Sequence, residues 1–362
     1  MSASGETLVC AVTVTPRDDP EHNEDACEAV RVPHAGVRGV VVADGLGSYT
    51  QAGRAAREVA REAAAWLETE TEHFGRGTLP RLFIHVHTEL RKRLREEADG
   101  GEPEPGAFGT TLLVGVDAGA ELVAAYAGNG AVWHIRGNFD ESLAAGVPWS
   151  AVNLLNPHTV LRGGREILYR IVDAADPSPP VPAVVSVRKD PEFGDILLLC
   201  TDGVYSADQV THGTDAGGTV WISAEAPMVA LFNALRELFD AWDGEAGLPL
   251  HDALQACLGR LRAAGMLEDD ATVGVIVTAD ALRYRRAARA ARTALTAAPQ
   301  ATETAAASSA EPDDGSTARA GETVGDVSAE PAANPVTDEP VAAGQPYARE
   351  NAECSASTSP AA

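Results

Sequence analysis

Up to about residue 280 the chain alternates short apolar, β-branched runs with long helical stretches, and the helical stretches come in pairs. The runs are Thr7–Thr13, Gly36–Ala43, Thr111–Val116, Leu122–Ala127, Ala131–Ile135, Ile167–Val172, Ala183–Val187, Asp195–Cys200 and Thr272–Val277. Helical text covers Gln51–Glu70 and Leu79–Ala98 back to back, then Ala224–Ala241 and Leu248–Ala264. Tight turns at Asp117–Ala120 and Gly128–Gly130 favour antiparallel hairpins. A doubly wound βαβ chain places a helix after each strand. Clustered strands with paired helices predict an α+β layered sandwich instead.

Charge narrows the partners. Of 362 residues, 28 are Lys or Arg and 53 are Asp or Glu, a formal net charge of −25. That balance argues against nucleic acid and against anionic membranes, both of which need a positive face. It permits hard divalent cations, which carboxylates attract. Five cysteines (Cys10, Cys27, Cys200, Cys257, Cys354) show no short pair spacing, which reads as reduced thiols. No secretory leader and no 18-residue apolar window is visible, so the expectation is a cytoplasmic protein.

Composition changes near residue 280. The segment 283–298 reads as a basic helical extension, with arginines at 283, 285, 286, 289 and 292 and most simply a solvated face. From Pro299 to Ala362 the text is Ala, Ser, Thr and Pro with eleven acids and two arginines, the composition of a disordered acidic tail. Residues 1–282 then form the folded domain.

The acids fall at strand ends. Asp44 closes VVVAD and is followed by Gly45 and Gly47; Asp202 follows DILLLC in Thr201-Asp202-Gly203. Asp269 and Asp270 precede the final strand, and Glu24 and Asp25 stand at the mouth of another. A single Asp-Gly is ordinary turn chemistry. Four such sites would repel one another at a shared rim unless cations neutralised them, and all-oxygen donors suit Mg²⁺ or Mn²⁺.

In order, NEDA (23–26), VADGLGS (42–48), FGTTLLVG (108–115), AYAGNGAVW (125–133), LLLCTDGVYS (197–206) and DDATVGVIV (269–277) resemble the successive motifs of the metal-dependent type 2C serine/threonine protein phosphatases, the PPM family, in their bacterial form. The resemblance covers about residues 7–280. It implies a four-layer α-β-β-α sandwich of two antiparallel sheets flanked by helix pairs. It further implies hydrolysis of phosphoserine and phosphothreonine on proteins by metal-activated water, with no phospho-enzyme. Asp44 would bridge two Mn²⁺ or Mg²⁺ ions, with the Gly45 carbonyl on one. Asp202 and Asp269 would complete the first ion's shell; Glu24 would serve the second, with Asp25 acting directly or through water. Gly109, Thr110 and Thr111 would position the site from beneath. The implied partner is a phosphorylated protein made by a Ser/Thr kinase, and the protein is expected to be a monomer in bacterial signalling.

Three positions depart from the family pattern. The phosphate-holding arginine expected three residues before Asn23 is Pro20, leaving Arg17 as the substitute. Leu46 stands where animal members carry a histidine after Asp-Gly, so the leaving group would take its proton from water, or from His22. Gly128-Asn129-Gly130 replaces Gly-Asp-Ser, so a third-metal aspartate becomes the neutral amide of Asn129 and that third site is weak or lost. These departures keep two alternatives open: a pseudophosphatase-like module that binds a phosphoprotein or kinase, and a two-metal hydrolase of small phosphate esters. His85 and His87 lie i, i+2 on a helix and point to different faces, which disfavours shared ligation. Trp133, Trp149, Trp221 and Trp242 read as packing. The Pro/Gly-rich stretch Asn138–Ala183 corresponds to the family's variable flap beside the site.

Overall fold

The computed structural model describes residues 6–17, 20–32, 37–70, 74–139, 151–162, 165–205, 211–214, 220–223, 226–243 and 247–306. The chain begins with strands β1 (Leu8–Val14), β2 (Asp25–Val32) and β3 (Val37–Asp44), then helices α1 (Ala52–Thr69) and α2 (Leu79–Glu97). A two-residue strand β4 (Gly109–Thr110) leads into β5 (Leu112–Asp117), β6 (Glu121–Ala127) and β7 (Ala131–Arg136). Short strands β8 (Ala151–Asn153), β9 (Thr159–Arg162), β10 (Arg165–Leu168) and β11 (Val172–Asp173) follow, then β12 (Ala183–Arg188) and β13 (Asp195–Cys200). Strands β14 (Thr211–Thr214) and β15 (Val220–Ser223) pair as a hairpin before helices α3 (Ala226–Ala241) and α4 (Leu250–Ala263). Strand β16 (Ala271–Val277) and helix α5 (Ala279–Ala306) end the described chain.

Two five-stranded antiparallel sheets carry the fold. One has the order β1-β16-β13-β7-β8 and the other β12-β6-β5-β3-β2. Three apolar cores fill the gaps between layers. Val40, Val42, Leu113, Leu197, Leu199 and Ile276 meet between the sheets. The opposite faces of β3 and β5 present Val41, Val114 and Val116 to Val59, Leu67, Leu82 and Phe83 of α1 and α2. On the other side Leu198, Val273 and Val275 meet Leu231, Phe232, Leu254 and Leu258 of α3 and α4. Because alternate residues of a strand face opposite ways, strands buried on both faces are continuously apolar along their middle, as Leu112–Val116 of β5, Ile196–Cys200 of β13 and Val273–Val277 of β16 are. The result is the expected order helix pair, sheet, sheet, helix pair.

Three local expectations are corrected. Gly128–Gly130 does not close a hairpin: β6 pairs with β5 and β12 whereas β7 pairs with β13 and β8, so this turn carries the chain from one sheet to the other. The run Ile167–Val172 is not one strand; β10 pairs with β9, and β11 pairs separately with β4. The first turns of α5 are also not a solvated arginine face. Arg285 is 2% exposed and stacks 4.0 Å from the Phe139 ring centroid, and Arg286 lies over Trp242. Arg289 donates to the main-chain carbonyls of Asp240 and Trp242, and Arg292 pairs with the Asp240 carboxylate at 3.0 Å. Cations here satisfy the open carbonyl end of α3 and its dipole. Helix α5 continues past Pro299 to Ala306; the remainder of the acidic stretch, and Trp149, lie outside the described residues. Trp133 and Trp242 are buried, as read from the sequence. No helix among the described residues is long and apolar enough to cross a membrane.

Candidate metal centre

Topology gathers the acids. In the β2–β3 ladder Asp25 stands directly opposite Asp44. In the facing sheet β13 runs antiparallel to β16 with Cys200 opposite Val273, so the residues after β13 lie beside those before β16. Asp202 therefore meets Asp269 and Asp270, and the sheet-to-sheet turn brings Asn129 to the same rim. A cavity of about 780 Å³ opens there, walled by Glu24, Asp44, Gly45, Asp202, Asp269 and Asp270, with Arg17 and Asn129 at its edge. Five carboxyls separated by up to 246 positions in sequence share one cleft.

The backbone around these side chains is held firmly. The Asp44 N–H donates to Thr111 Oγ1 (3.0 Å), and its carbonyl accepts from the Thr111 N–H (2.8 Å) and Thr110 Oγ1 (2.8 Å). Gly109 makes room for the Tyr49 ring, against which a Cβ would come within 2.5 Å. Gly45 donates its N–H to the Glu24 carbonyl (3.0 Å), and a Cβ there would lie 2.5 Å from the Ala52 backbone. Gly130, at φ 89°, passes so close to β13 that a Cβ would sit 2.3 Å from the Cys200 carbonyl oxygen. Only glycine fits this crossing.

The electrostatics are adverse to bare carboxylates. Burial raises the Asp44 carboxyl well above the ordinary range, and the charges of Asp25, Asp202 and Asp269 push it further. Asp25 is raised chiefly by burial, against the hydroxyls of Thr272 and Thr201, the latter donating to Oδ2 at 2.8 Å. Asp202 is raised by burial and by Asp269, while the Asn129 amide, donating to Oδ2 at 2.7 Å, pulls it down. Mutual repulsion in a poorly solvated cleft is what a cation would relieve.

The structure thus brings Glu24, Asp44, Gly45, Asp202, Asp269, Arg17 and Asn129 to one cavity. Asp25 lies beneath its wall, 4% exposed, bonded to Thr201. Arg17 reaches the cleft despite Pro20, which opens a 3₁₀ turn, and its guanidinium lies 3.7 Å from Glu24. Leu46 lines the cavity, whereas His22 is exposed outside its lining. His85 pairs with Glu62 and buried His87 bonds the Asp176 carbonyl, so neither serves the cleft. Of two further contributors, Asp270 was read among the strand-end acids without a role of its own, and Tyr49 escaped the sequence reading. Asp270 accepts the Glu24 N–H at 2.7 Å and so fixes that residue; its adjacency to Asp269 was the available signal. Tyr49, in the loop after β3, donates to Asp173 at 2.9 Å, and burial with that carboxylate moves its phenol to about 12.

Among the described residues, no three His, Cys, Asp or Glu side chains are drawn close enough to hold an ion between them. The Asn129 amide donates to an oxygen of Asp202, and Arg17 faces Glu24. The donor set nevertheless fits hard divalent ions. It is all oxygen, and buried Oδ1 atoms of Asn129 and Asp270 have no hydrogen-bond partner.

Comparison with known proteins agrees with the motif resemblance. Residues 16–148 match the sequence model of a family described as Protein phosphatase 2C. The fold is shared with a bacterial serine phosphatase bearing a point mutation, at 16% identity and TM-score 0.52 over 75% of this chain and 98% of that one. It is also shared with a serine/threonine phosphatase of S. agalactiae, at 14% identity and TM-score 0.51 over 75% and 99%. No curated protein matches the chain. The chain is therefore similar to the type 2C phosphatases in motifs and in fold.

Proposed function

We propose that this chain is a metal-dependent phosphatase that hydrolyses phosphoserine and phosphothreonine esters on proteins. The observation that carries the reading is the convergence of Glu24, Asp44, Asp202 and Asp269 from four separate strand ends on one cavity. Two Mn²⁺ or Mg²⁺ ions, when bound, would activate water and neutralise phosphoryl charge. Asp44 would hold both and the Gly45 carbonyl one of them; Asp202 and Asp269 would hold one, and Glu24 the other. Asp25, beneath them, would act through Asp44 and Thr201. Arg17 would leave Glu24 to hold the phosphate. Leu46 offers no proton, so the leaving oxygen takes one from water. The amide of Asn129 in place of a carboxylate leaves a third ion weakly held. Buried free thiols at Cys10, Cys200 and Cys257 suit a reducing cytoplasm.

The purified protein should bind Mn²⁺ in calorimetry, hydrolyse an aryl phosphate and a phosphothreonine peptide, and lose both activities to a chelator. Absence of Mn²⁺ binding together with tight phosphoprotein binding would replace this reading with a pseudophosphatase. That second reading is favoured by the Asn129–Asp202 and Arg17–Glu24 contacts. Turnover of small phosphate esters but of no phosphopeptide would favour a small-ester hydrolase.

A further inference from the structure

Asn129 reaches Asp202 from a turn with little freedom. Gly128 lies at φ 126°, and a Cβ there would come within 2.6 Å of the side chain of Thr111, whose hydroxyl accepts the Asp44 N–H. Gly130 is pressed as closely against the Cys200 carbonyl, two residues before Asp202. The turn is therefore wedged between the residue that holds Asp44 and the strand that leads to Asp202. Close packing limits how near the turn can come; directional bonds to its main chain orient it.

One buried side chain supplies those bonds. Gly128 follows the last residue of β6, so its N–H and carbonyl fall outside the ladders. His158, 5% exposed, takes both: ring Nδ1 accepts the Gly128 N–H (3.2 Å), and its own N–H donates to the Gly128 carbonyl (3.0 Å). The ring is held in turn, stacked on Tyr126 with centroids 5.1 Å apart. Beside it the Asn156 N–H donates to Tyr126 Oη (2.9 Å) and the Leu154 N–H to the Val132 carbonyl (2.7 Å). Residues 154–158 thus grip the chain on both sides of Asn129. Burial and nearby Arg170 hold His158 down to about 4, so its ring is neutral and has a single lone pair to offer. Arg170 Nη1 lies 3.3 Å from Nε2, but this half-buried guanidinium can turn to water, whereas the buried Gly128 N–H cannot. The lone pair therefore belongs on Nδ1.

The clamp acts through Asn129, whose amide fixes the Asp202 carboxylate by Oδ2 at 2.7 Å. A carboxylate oriented beforehand loses less freedom when a cation binds. We infer that His158 is a positioning residue of the metal centre: by holding Gly128 at both main-chain groups it keeps the Asn129 amide on Asp202 and so sets how tightly the site takes Mn²⁺. This rests on the phosphatase reading above and names a residue that supports its site.

Calorimetry of the full chain with Mn²⁺ tests it. His158→Phe keeps a ring on Tyr126 and loses the acceptor; His158→Asn loses the ring and keeps an acceptor, Oδ1, in place of Nδ1. Affinity should fall about tenfold or more in His158→Phe and by less than about threefold in His158→Asn. A role confined to packing orders the two the other way, because Asn forfeits the stack. In an Asn129→Ala background His158→Phe should weaken Mn²⁺ binding no further. Unchanged affinity in His158→Phe, an equal loss in His158→Asn, or a full further loss in the Asn129→Ala background overturns the inference. Nitrogen NMR of the wild-type ring tests the clamp without any variant: Nδ1 should be the unprotonated nitrogen at pH 7, and a proton there overturns it. Absence of Mn²⁺ binding in wild type sinks the metal reading and the inference with it; binding that ignores His158 sinks only the clamp.

Discussion

Strand β13 carries an aspartate at each end, and the two live in opposite worlds. Asp195, at its start, is 0% exposed, yet every demand of its carboxylate is met. His134 Nε2 (2.7 Å) and Arg136 Nη1 (2.5 Å) meet Oδ1, and the Asp190 N–H meets Oδ2 at 2.7 Å. Asp202, just past the other end, shares its cleft with Asp44 and Asp269, with Asp25 buried beneath, and receives one amide from Asn129. Burial is common to both. What separates a structural carboxylate from a candidate functional one is the missing counter-charge.

Substitutions can break this contrast. The largest effect expected is at the cleft: Asp44→Asn or Asp202→Asn should reduce Mn²⁺-dependent phosphatase activity to background, because either removes charge from the ion-holding set. Thermal melts of the same variants without metal should show retained or higher stability, since one repelling charge is gone. Activity persisting in either variant would refute the role assigned to these acids. At the other end Asp195→Ala should do the reverse. It strands Arg136 and His134 and is expected to cost about 2–3 kcal/mol in urea unfolding, Arg136 being able to reach water, while turnover per folded molecule stays unchanged.

Asn129→Asp sharpens the comparison by making the cleft still more anionic. It exchanges a hydrogen bond to Asp202 for a like charge, and should lower metal-free stability by about 1–2 kcal/mol while tightening Mn²⁺ binding in calorimetry. Unchanged stability and unchanged binding would show that the amide is not the group keeping Asp202 in balance. The smallest effect is in pH. In the fold Asp25, Asp44 and Asp202 keep their protons at pH values where an unfolded chain, titrating near 3.8, has lost them. The unfolded state therefore binds fewer protons, and these groups make metal-free stability fall as pH rises from 3.8 through the raised folded values. Subtracting the Asp44→Asn melting curve from that of wild type in a chelating buffer isolates their share. A difference independent of pH would contradict the raised values.

Much of this arrangement was legible beforehand because strand ends announce themselves. An apolar run closing on Asp-Gly says that the side chain leaves a buried layer at its rim, and Asp44 and Asp202 were readable on that ground. The helix pairs were readable from periodicity to within two residues, as Gln51–Glu70 against Ala52–Thr69 shows. Local text misled where a partner decides the outcome. Gly128–Gly130 looks like any tight turn, and only the pairing of β7 with β13 makes it a passage between sheets. The arginines after residue 283 look solvated until Phe139, Phe239 and Trp242 are placed beneath them.

From its own order of residues this chain determined the layered α+β architecture, the acids at the rims and the motif order shared with type 2C phosphatases, because period and strand-end chemistry are local properties. Tertiary structure alone decided that Asp270 holds Glu24 and that the Asn129 amide rests on Asp202. Each of these joins residues far apart in the chain, and such contacts depend on strand register and layer spacing, which no local stretch of sequence encodes.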